Sequence, residues 1–121
     1  MTQSPAPPVV LMVTGGREYR DRAFIHAAMD TVRERHGGDV LIHGGARGVD
    51  TLAGEWARER GLETRVFEPD YRERRAPLRR NIRMLEQRPD HVVVFPGGSG
   101  TAFTKRHAVQ RGLNVLLATS L

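Results

Sequence analysis

The stretch from Val92 to Thr101, VVVFPGGSGT, decides the fold of this chain. Val92 to Phe95 is an apolar run without polar alternation, which is typical of a strand covered on both faces of a parallel sheet. Pro96 lacks an N–H group and ends the strand, and the glycines after it allow a tight turn. A helix that opens at Thr101 directs free N–H groups and its positive end into that turn, which favours an anion such as phosphate. The expected contacts are Gly97, Gly98, Ser99, Gly100 and Thr101.

A similar turn follows the first apolar run of the chain. This 14–17 turn, Thr14-Gly15-Gly16-Arg17, offers a hydroxyl, backbone N–H groups and a guanidinium. The guanidinium of Arg17 can form two parallel hydrogen bonds to a phosphate. The alternative is a surface arginine beside a tight turn. We favour the phosphate contact because the turn follows a strand in the same way as the 97–101 turn.

A third glycine turn, at 44–48, lies within His43 to Asp50, HGGARGVD. It departs from the dinucleotide fingerprint and has no P-loop lysine, yet Gly44 and Gly45 can form an anion-binding nest of N–H groups. Asp50 lies in the first turn of the next helix. Either the helix dipole stabilises its carboxylate, or the carboxylate accepts a hydrogen bond from a ribose hydroxyl. His43 is interpreted as structural.

Apolar runs and helical patterns alternate along the whole chain. Asp21 is a candidate N-cap for the first helix, which Gly37 ends. This alternation predicts a Rossmann-like three-layer α/β/α sandwich with a mainly parallel five-stranded sheet. In a strand order such as 3-2-1-4-5, strands one and four are neighbours and the glycine turns open on one crevice. The predicted strands are 9–13, 40–43, 64–67, 92–95 and 114–117, and the predicted helices are 22–35, 49–60, 78–88 and 101–111.

Composition limits the class of protein. The 121 residues predict one domain at 9–121 and a disordered N-terminal arm at 1–8. The absence of cysteine excludes disulfides and cysteine catalysis. No apolar run is long enough to cross a membrane, and the N-terminus lacks a secretory pattern, so we expect a cytoplasmic protein without a membrane partner. The net charge of +5 favours anionic partners, although a GC-rich genome is an alternative source of the arginines.

The most basic segment is 72–83, RERRAPLRRNIR, with six arginines in twelve residues. Such a run is usually a solvated face, but this one lies on the ligand side of the predicted sheet. Arg80 and Asn81 can reach the crevice with one charge and one bidentate amide. The other arginines could contact the phosphates of a nucleic acid. Tyr71 is the only aromatic residue near this segment, so few rings are available for base stacking.

Catalytic residues are not evident from the pattern. Glu18 and Asp50 are candidates for acid–base chemistry by position only. No histidines have the spacing of metal ligands, so no metal site is predicted. No cofactor is expected beyond a nucleotide-type ligand.

Four motifs taken together resemble the SLOG superfamily, which includes Smf/DprA, the Lonely Guy phosphoribohydrolases and the small YspA-type proteins. They are TGGR at 14–17, HGGARGVD at 43–50, RN at 80–81 with RML at 83–85, and PGGSGT at 96–101. The order of the motifs and the short chain are most similar to the YspA-type proteins, over 9–117. The resemblance implies a Rossmann-like fold that binds a nucleotide or nucleotide-derived ligand. It further implies that the protein senses or processes that ligand. It also implies a homo-oligomer, since related domains pair through their helices.

The departures from the superfamily separate three functions. Lonely Guy enzymes carry PGGxGTxxE with a catalytic glutamate, whereas Thr104 occupies that position here. Threonine supplies no carboxylate, so hydrolysis of a nucleotide N-glycosidic bond would need Asp50 or Glu18 in its place. The chain resembles DprA at GGARGVD and at 80–83, which implies single-stranded DNA binding as a further alternative. Binding of a phosphate-bearing nucleotide derivative is the preferred hypothesis.

Overall fold

The computed structural model describes residues 6–121, so residues 1–5 of the predicted arm lie outside the described range, and 6–8 are exposed. Strands and helices alternate along the described chain. The elements are β1 Val10–Thr14, α1 Arg22–His36, β2 Val40–His43, α2 Val49–Glu59, β3 Glu63–Val66, α3 Ala76–Glu86, β4 His91–Val94, α4 Ser99–Gln110 and β5 Val115–Leu117, with a 3₁₀ turn at Ala118–Ser120. Within residues 6–121, every helix is too short or too polar to span a bilayer.

The five strands form one parallel sheet in the order β3-β2-β1-β4-β5. The predicted Rossmann-like fold is confirmed. The strand order is the one given as an example, which the sequence alone did not determine. The chain winds from β1 outward through β2 to β3 and then crosses to β4 on the other side of β1. The carboxyl ends of β1 and β4 therefore flank the switch point, where such sheets bind ligands.

Helices cover both faces of the sheet. α1 and α2 pack on one face, where Trp56 is fully buried, and α3 and α4 pack on the other. Successive residues of β1 point to opposite faces of the sheet. Leu11 and Val13 belong to the hydrophobic core under α1 and α2, and Met12 belongs to the core under α3 and α4. Both faces of the central strands are thus buried, as their unbroken apolar runs predicted.

Several element boundaries differ from the sequence prediction. α3 begins at Ala76 rather than at 78, because Pro77 in its first turn needs no N–H donor. α4 begins at Ser99 rather than at Thr101, so Gly98 is the N-cap. The end of α3 also comes two residues earlier than predicted, at Glu86. The bounds of β2, the starts of α1 and α2 and the end of β5 match the prediction, and the other ends shift by one residue. The predicted caps of α1 are confirmed: the Asp21 carboxylate accepts from the Phe24 N–H group, and Gly37 has a φ of 87°.

Candidate functional site

A cleft lies at the carboxyl ends of β1 and β4, with a cavity of about 320 Å³. Four predicted groups contribute to it: the 14–17 turn, Asp50 on α2, the pair on α3 and the start of α4. Four further residues also line the cleft and were not among the predicted site residues: Ala46, Pro77, Leu78 and Met84. The predicted residues that line the cleft are Thr14, Gly15, Gly16, Arg17, Asp50, Arg80, Asn81, Gly98, Gly100 and Thr101.

The 97–101 turn presents unused N–H groups to the cleft. Ala102 is the first residue of α4 whose N–H donates back into the helix start, to the Gly98 carbonyl at 3.1 Å. The five N–H groups before it, at 97–101, donate to no acceptor in residues 6–121. Among the described residues, no side chain caps α4, and the first turn of α4 contains no acidic residue. The positive end of this helix is therefore uncompensated and faces the cavity.

Glycines at this edge of the sheet allow the turns to pack against one another. A Cβ atom on Gly97 would lie 2.2 Å from Thr101 Oγ1 and 2.8 Å from the Gly16 nitrogen. One on Gly15 would lie 2.5 Å from Val49 Cγ2. The Gly16 N–H donates to the Pro96 carbonyl at 2.9 Å, which joins the 14–17 turn to β4. A side chain at Gly15 or Gly97 would therefore force its neighbours to move.

Gly98 differs from Gly15, Gly16 and Gly97 because a Cβ atom there would meet nothing within 4 Å in residues 6–121. Its position lines the cavity. The open volume above Gly98 is therefore available to a ligand. The sequence could not distinguish this glycine from Gly97, since the difference depends on distances to Thr101 and to the 14–17 turn.

The 44–48 turn is closed by its own side chains. The Asp50 Oδ2 atom accepts from the Gly44 N–H at 3.1 Å and from the Ala46 N–H at 3.2 Å. The Gly45 N–H donates to His43 Nδ1 at 3.0 Å. The nest predicted for an external anion is thus occupied by the carboxylate of Asp50. Burial raises the pKa of Asp50, and the two N–H groups and Arg80 oppose that rise.

His43 has the structural role predicted for it. It is buried, and its Nε2 atom faces Gly54, where a Cβ atom would lie 2.9 Å away. Burial lowers the pKa of His43, with the positive charges of Arg58 and Arg80 adding to the effect. The neutral ring with Nδ1 as an acceptor is consistent with its hydrogen bond from Gly45.

A buried network connects the 44–48 turn to α4. Arg80 Nη1 donates to the Gly44 carbonyl, and Arg80 Nε donates to Asn81 Oδ1 at 2.8 Å. Asn81 Nδ2 donates to Thr104 Oγ1 at 2.9 Å, and Thr104 Oγ1 donates to the Gly100 carbonyl at 3.0 Å. Burial lowers the pKa of Arg80. Arg80 and Asn81 therefore hold two turns in place as well as line the cleft.

Thr104 is fully buried. The sequence indicated only that it replaces a glutamate, and its bridging role was missed. Its spacing of one helical turn from Gly100 is the available signal, because threonine at such a position bonds the carbonyl four residues back. The partner Asn81 lies on another helix and could not be inferred from spacing.

Arg17 lies where three cavities meet. Besides the cleft, it lines an adjoining cavity of about 450 Å³ with Tyr71 and Arg80, and a third one of about 270 Å³. Its exposed guanidinium forms no ion pair with any residue in 6–121. A free cation beside an uncompensated helix N-terminus concentrates positive potential in the cleft.

The remaining predicted residues lie around the cleft rather than in it. Gly44 and Gly45 line the adjoining cavity. Gly97 and Ser99 line neither the cleft nor the adjoining cavity. Their N–H groups are nevertheless among those of the 97–101 turn that have no acceptor in residues 6–121. Glu18 is exposed and paired with Arg47, which lowers the pKa of Glu18. Residues 6–121 contain no cluster of three or more metal-binding side chains.

A parallel sheet with glycine turns grouped at its switch point defines a Rossmann-like protein of the SLOG type. The chain belongs to the YspA, cpYpsA-related SLOG family, whose sequence pattern matches residues 8–73. The resemblance inferred from the motifs is thereby confirmed. The Gene 61 protein of Mycobacterium phage D29 is 32% identical over 116 residues, which cover 88% of this chain and 93% of that protein.

Solved structures of the same fold include two named proteins. DNA processing protein A (DprA) from Streptococcus pneumoniae has a TM-score of 0.74 at 17% identity, covering 90% of this chain and 50% of that one. The Moco carrier protein from Chlamydomonas reinhardtii has a TM-score of 0.68 at 18% identity, covering 92% and 76%. At these identities the likeness establishes the fold alone.

Proposed function

We propose that this protein binds a phosphate-bearing nucleotide or nucleotide-derived ligand in the cleft, with a phosphate against the 97–101 turn. The observation that carries the proposal is the row of N–H groups at 97–101 that have no acceptor within the described residues, 6–121. They adjoin a cavity of about 320 Å³, at the small end of the roughly 300–1,000 Å³ typical of ligand sites. A phosphate supplies the acceptors and the negative charge that this helix end lacks.

Arg17 is the proposed side-chain contact to the same phosphate. Its guanidinium lines the cleft without an ion-pair partner in residues 6–121, and guanidinium groups bind phosphate bidentately. The rest of the ligand extends into the adjoining cavity beside Tyr71 and Arg80. The proposed binding residues are Thr14, Gly15, Gly16, Arg17, Gly44, Gly45, Asp50, Arg80, Asn81, Gly97, Gly98, Ser99, Gly100 and Thr101.

Hydrolysis of a nucleotide N-glycosidic bond is the second candidate. It is supported by Asp50, a buried carboxyl in the cleft whose pKa is raised by burial. Thr104 argues against it, since its hydroxyl is committed to Asn81 and Gly100. Release of free base by the wild-type protein, lost in Asp50→Asn with binding retained, would support catalysis. Binding without base release by the wild type would refute it.

The other parts of the proposal concern partners and location. Nucleic acid is the less favoured ligand, because Arg72 and Arg83 in the basic run are paired with Asp70 and Glu73. A homo-oligomer and a cytoplasmic location are proposed from the resemblance and from the lack of cysteine. Sedimentation analysis tests the first, and localisation of a fluorescent fusion tests the second.

The binding proposal is tested by titrating the purified protein with adenosine monophosphate, ADP-ribose, NAD and a short single-stranded oligonucleotide. Binding to the native state raises the melting temperature. We expect a shift with a mononucleotide-sized ligand and, from loss of a charged hydrogen bond, affinity about tenfold weaker in Arg17→Ala. Arg35→Ala is the matched control, because Arg35 is exposed at the far end of α1. Equal affinity of Arg17→Ala and wild type would overturn the placement.

A further inference from the structure

A second surface adjoins the cleft, between the start of α3 and the side of α4, and shares Leu78 with it. It encloses a cavity of about 440 Å³. Its floor is apolar and its rim carries guanidinium groups. We call it the arginine groove, and its lining residues are Arg74, Arg75, Leu78, Arg79, Ile82 and Phe103.

The rim of the arginine groove carries uncompensated positive charge. Arg74 and Arg75 form no ion pair within residues 6–121, whereas Arg72 is joined to Asp70 at 2.9 Å. Arg79 lies 4.0 Å from Glu73, which bonds more closely to Arg83 at 2.9 Å. The first turn of α3 contains no acidic residue. This surface therefore attracts a negatively charged partner.

The backbone of Arg75 forms the start of α3 without help from its side chain. Arg75 has φ 54° and ψ 42°, the left-handed conformation that glycine and asparagine adopt more readily. Its carbonyl accepts from the N–H groups of Leu78 and Arg79 at 3.0 Å each, so it caps α3 without using its side chain. Because these backbone hydrogen bonds already form the turn, the side chain of Arg75 is left exposed on the rim of the groove.

The floor of the groove favours a peptide over a nucleic acid. Its one aromatic ring, Phe103, already contacts His107 at 4.2 Å between centroids, and the guanidinium of Arg106 lies 5.8 Å from the ring centroid. Little of the ring remains for a stacked base, on which single-strand binding depends. Aliphatic contacts with Leu78 and Ile82 remain available.

We propose that the arginine groove binds an acidic peptide segment of a partner protein. Carboxylates of the segment pair with the guanidinium groups of the rim, and an apolar side chain between them rests on Leu78 and Ile82. Bidentate pairs of arginine with carboxylate supply geometry and charge, while the buried apolar anchor supplies affinity.

The test uses the full chain and a fluorescein-labelled peptide of Glu and Asp residues around a central Leu-Phe pair. The informative variant is Arg75→Asn, because asparagine tolerates the left-handed backbone and the fold is retained. We expect peptide affinity to fall about tenfold through loss of a charge-assisted contact, with the melting temperature unchanged or higher. Arg88→Asn is the matched control, since Arg88 also has a positive φ, of 51°, and is exposed outside the groove.

Each outcome decides the proposal. Reduced peptide affinity in Arg75→Asn together with wild-type affinity in Arg88→Asn supports it. Absence of peptide binding, or equal losses in both variants, overturns it. An all-acidic peptide that binds as tightly as the Leu-Phe peptide refutes the apolar anchor. Tighter binding of oligothymidylate, lost in Arg75→Asn, would assign the groove to nucleic acid instead.

Discussion

The 44–48 and 97–101 turns look alike in sequence and differ in what they offer. Both are glycine turns that lead from a central strand into a helix. In the first, N–H groups are used by Asp50 and His43, whereas in the second they have no acceptor in residues 6–121. The second residue of α2 is Asp50, and the second residue of α4 is Gly100. The two turns thus differ by one carboxylate. We call the 44–48 turn closed, because its N–H groups are hydrogen-bonded to side chains of the chain, and the 97–101 turn open, because its N–H groups are available to an anion.

The largest effect is expected where a glycine supports the closed turn. In Gly48→Ala, a Cβ atom at φ 81° would lie 2.3 Å from the Gly16 carbonyl oxygen, so the free energy of unfolding should fall by about 3 kcal/mol. Gly98→Ala is the matched control from the open turn and should cost under about 1 kcal/mol. Urea denaturation measures both. Equal losses would mean that the two turns are not distinguished by packing.

Removing the carboxylate that closes the 44–48 turn should have the next largest effect. Asp50→Ala leaves the N–H groups of Gly44 and Ala46 without their acceptor, which should cost about 2 kcal/mol of unfolding free energy. Asp50→Asn retains an oxygen at the same position and should cost less. Thermal and urea denaturation give the comparison. A loss in Asp50→Asn as large as in Asp50→Ala would show that charge, rather than the acceptor, holds the turn.

A carboxylate placed in the 97–101 turn should accept hydrogen bonds from its free N–H groups, as Asp50 does in the 44–48 turn. Gly100→Asp puts an acidic group at the second position of α4, where the nearest atom to a Cβ is Leu78 Cδ2 at 3.9 Å. The helix dipole should raise stability by about 0.5 kcal/mol, while phosphate affinity should fall by about tenfold or more through competition and repulsion. Calorimetric titration with adenosine monophosphate measures the second effect. Unchanged affinity would place the phosphate elsewhere.

The smallest effect concerns pH. Burial lowers the pKa of His43 from its ordinary 6.5 in the folded state, so its contribution to stability is present above about pH 6.5 and is lost as pH falls through the folded value. In His43→Asn, an amide oxygen can accept from the Gly45 N–H without titrating. Its stability should therefore decline less below pH 6.5. The slope that remains includes His91, whose pKa is also lowered by burial. An unchanged slope would exclude His43 as a source.

The fold could be predicted from local sequence patterns, but which glycine turn serves packing and which serves binding could not. Apolar runs such as Val40–His43 locate the strands because both faces of this sheet are covered. The start of α3 was predicted two residues late, since Pro77 fits a first turn as well as a loop. Whether Gly97 serves packing or binding depends on Thr101 and Gly16, which only the folded chain brings within 3 Å of its Cβ position.

The unused N–H groups of the 97–101 turn also give the protein an internal reporter of occupancy. Amide hydrogens at 44–46 are hydrogen-bonded within the chain, so their exchange with deuterated solvent follows opening of the structure. Those at 99–101 lack such partners within residues 6–121 and should exchange rapidly until an anion covers them. Mass spectrometry of one sample then compares deuterium uptake at 99–101, which should fall when an anion binds, with uptake at 44–46, which serves as the internal reference. The comparison requires no mutation and no attached label.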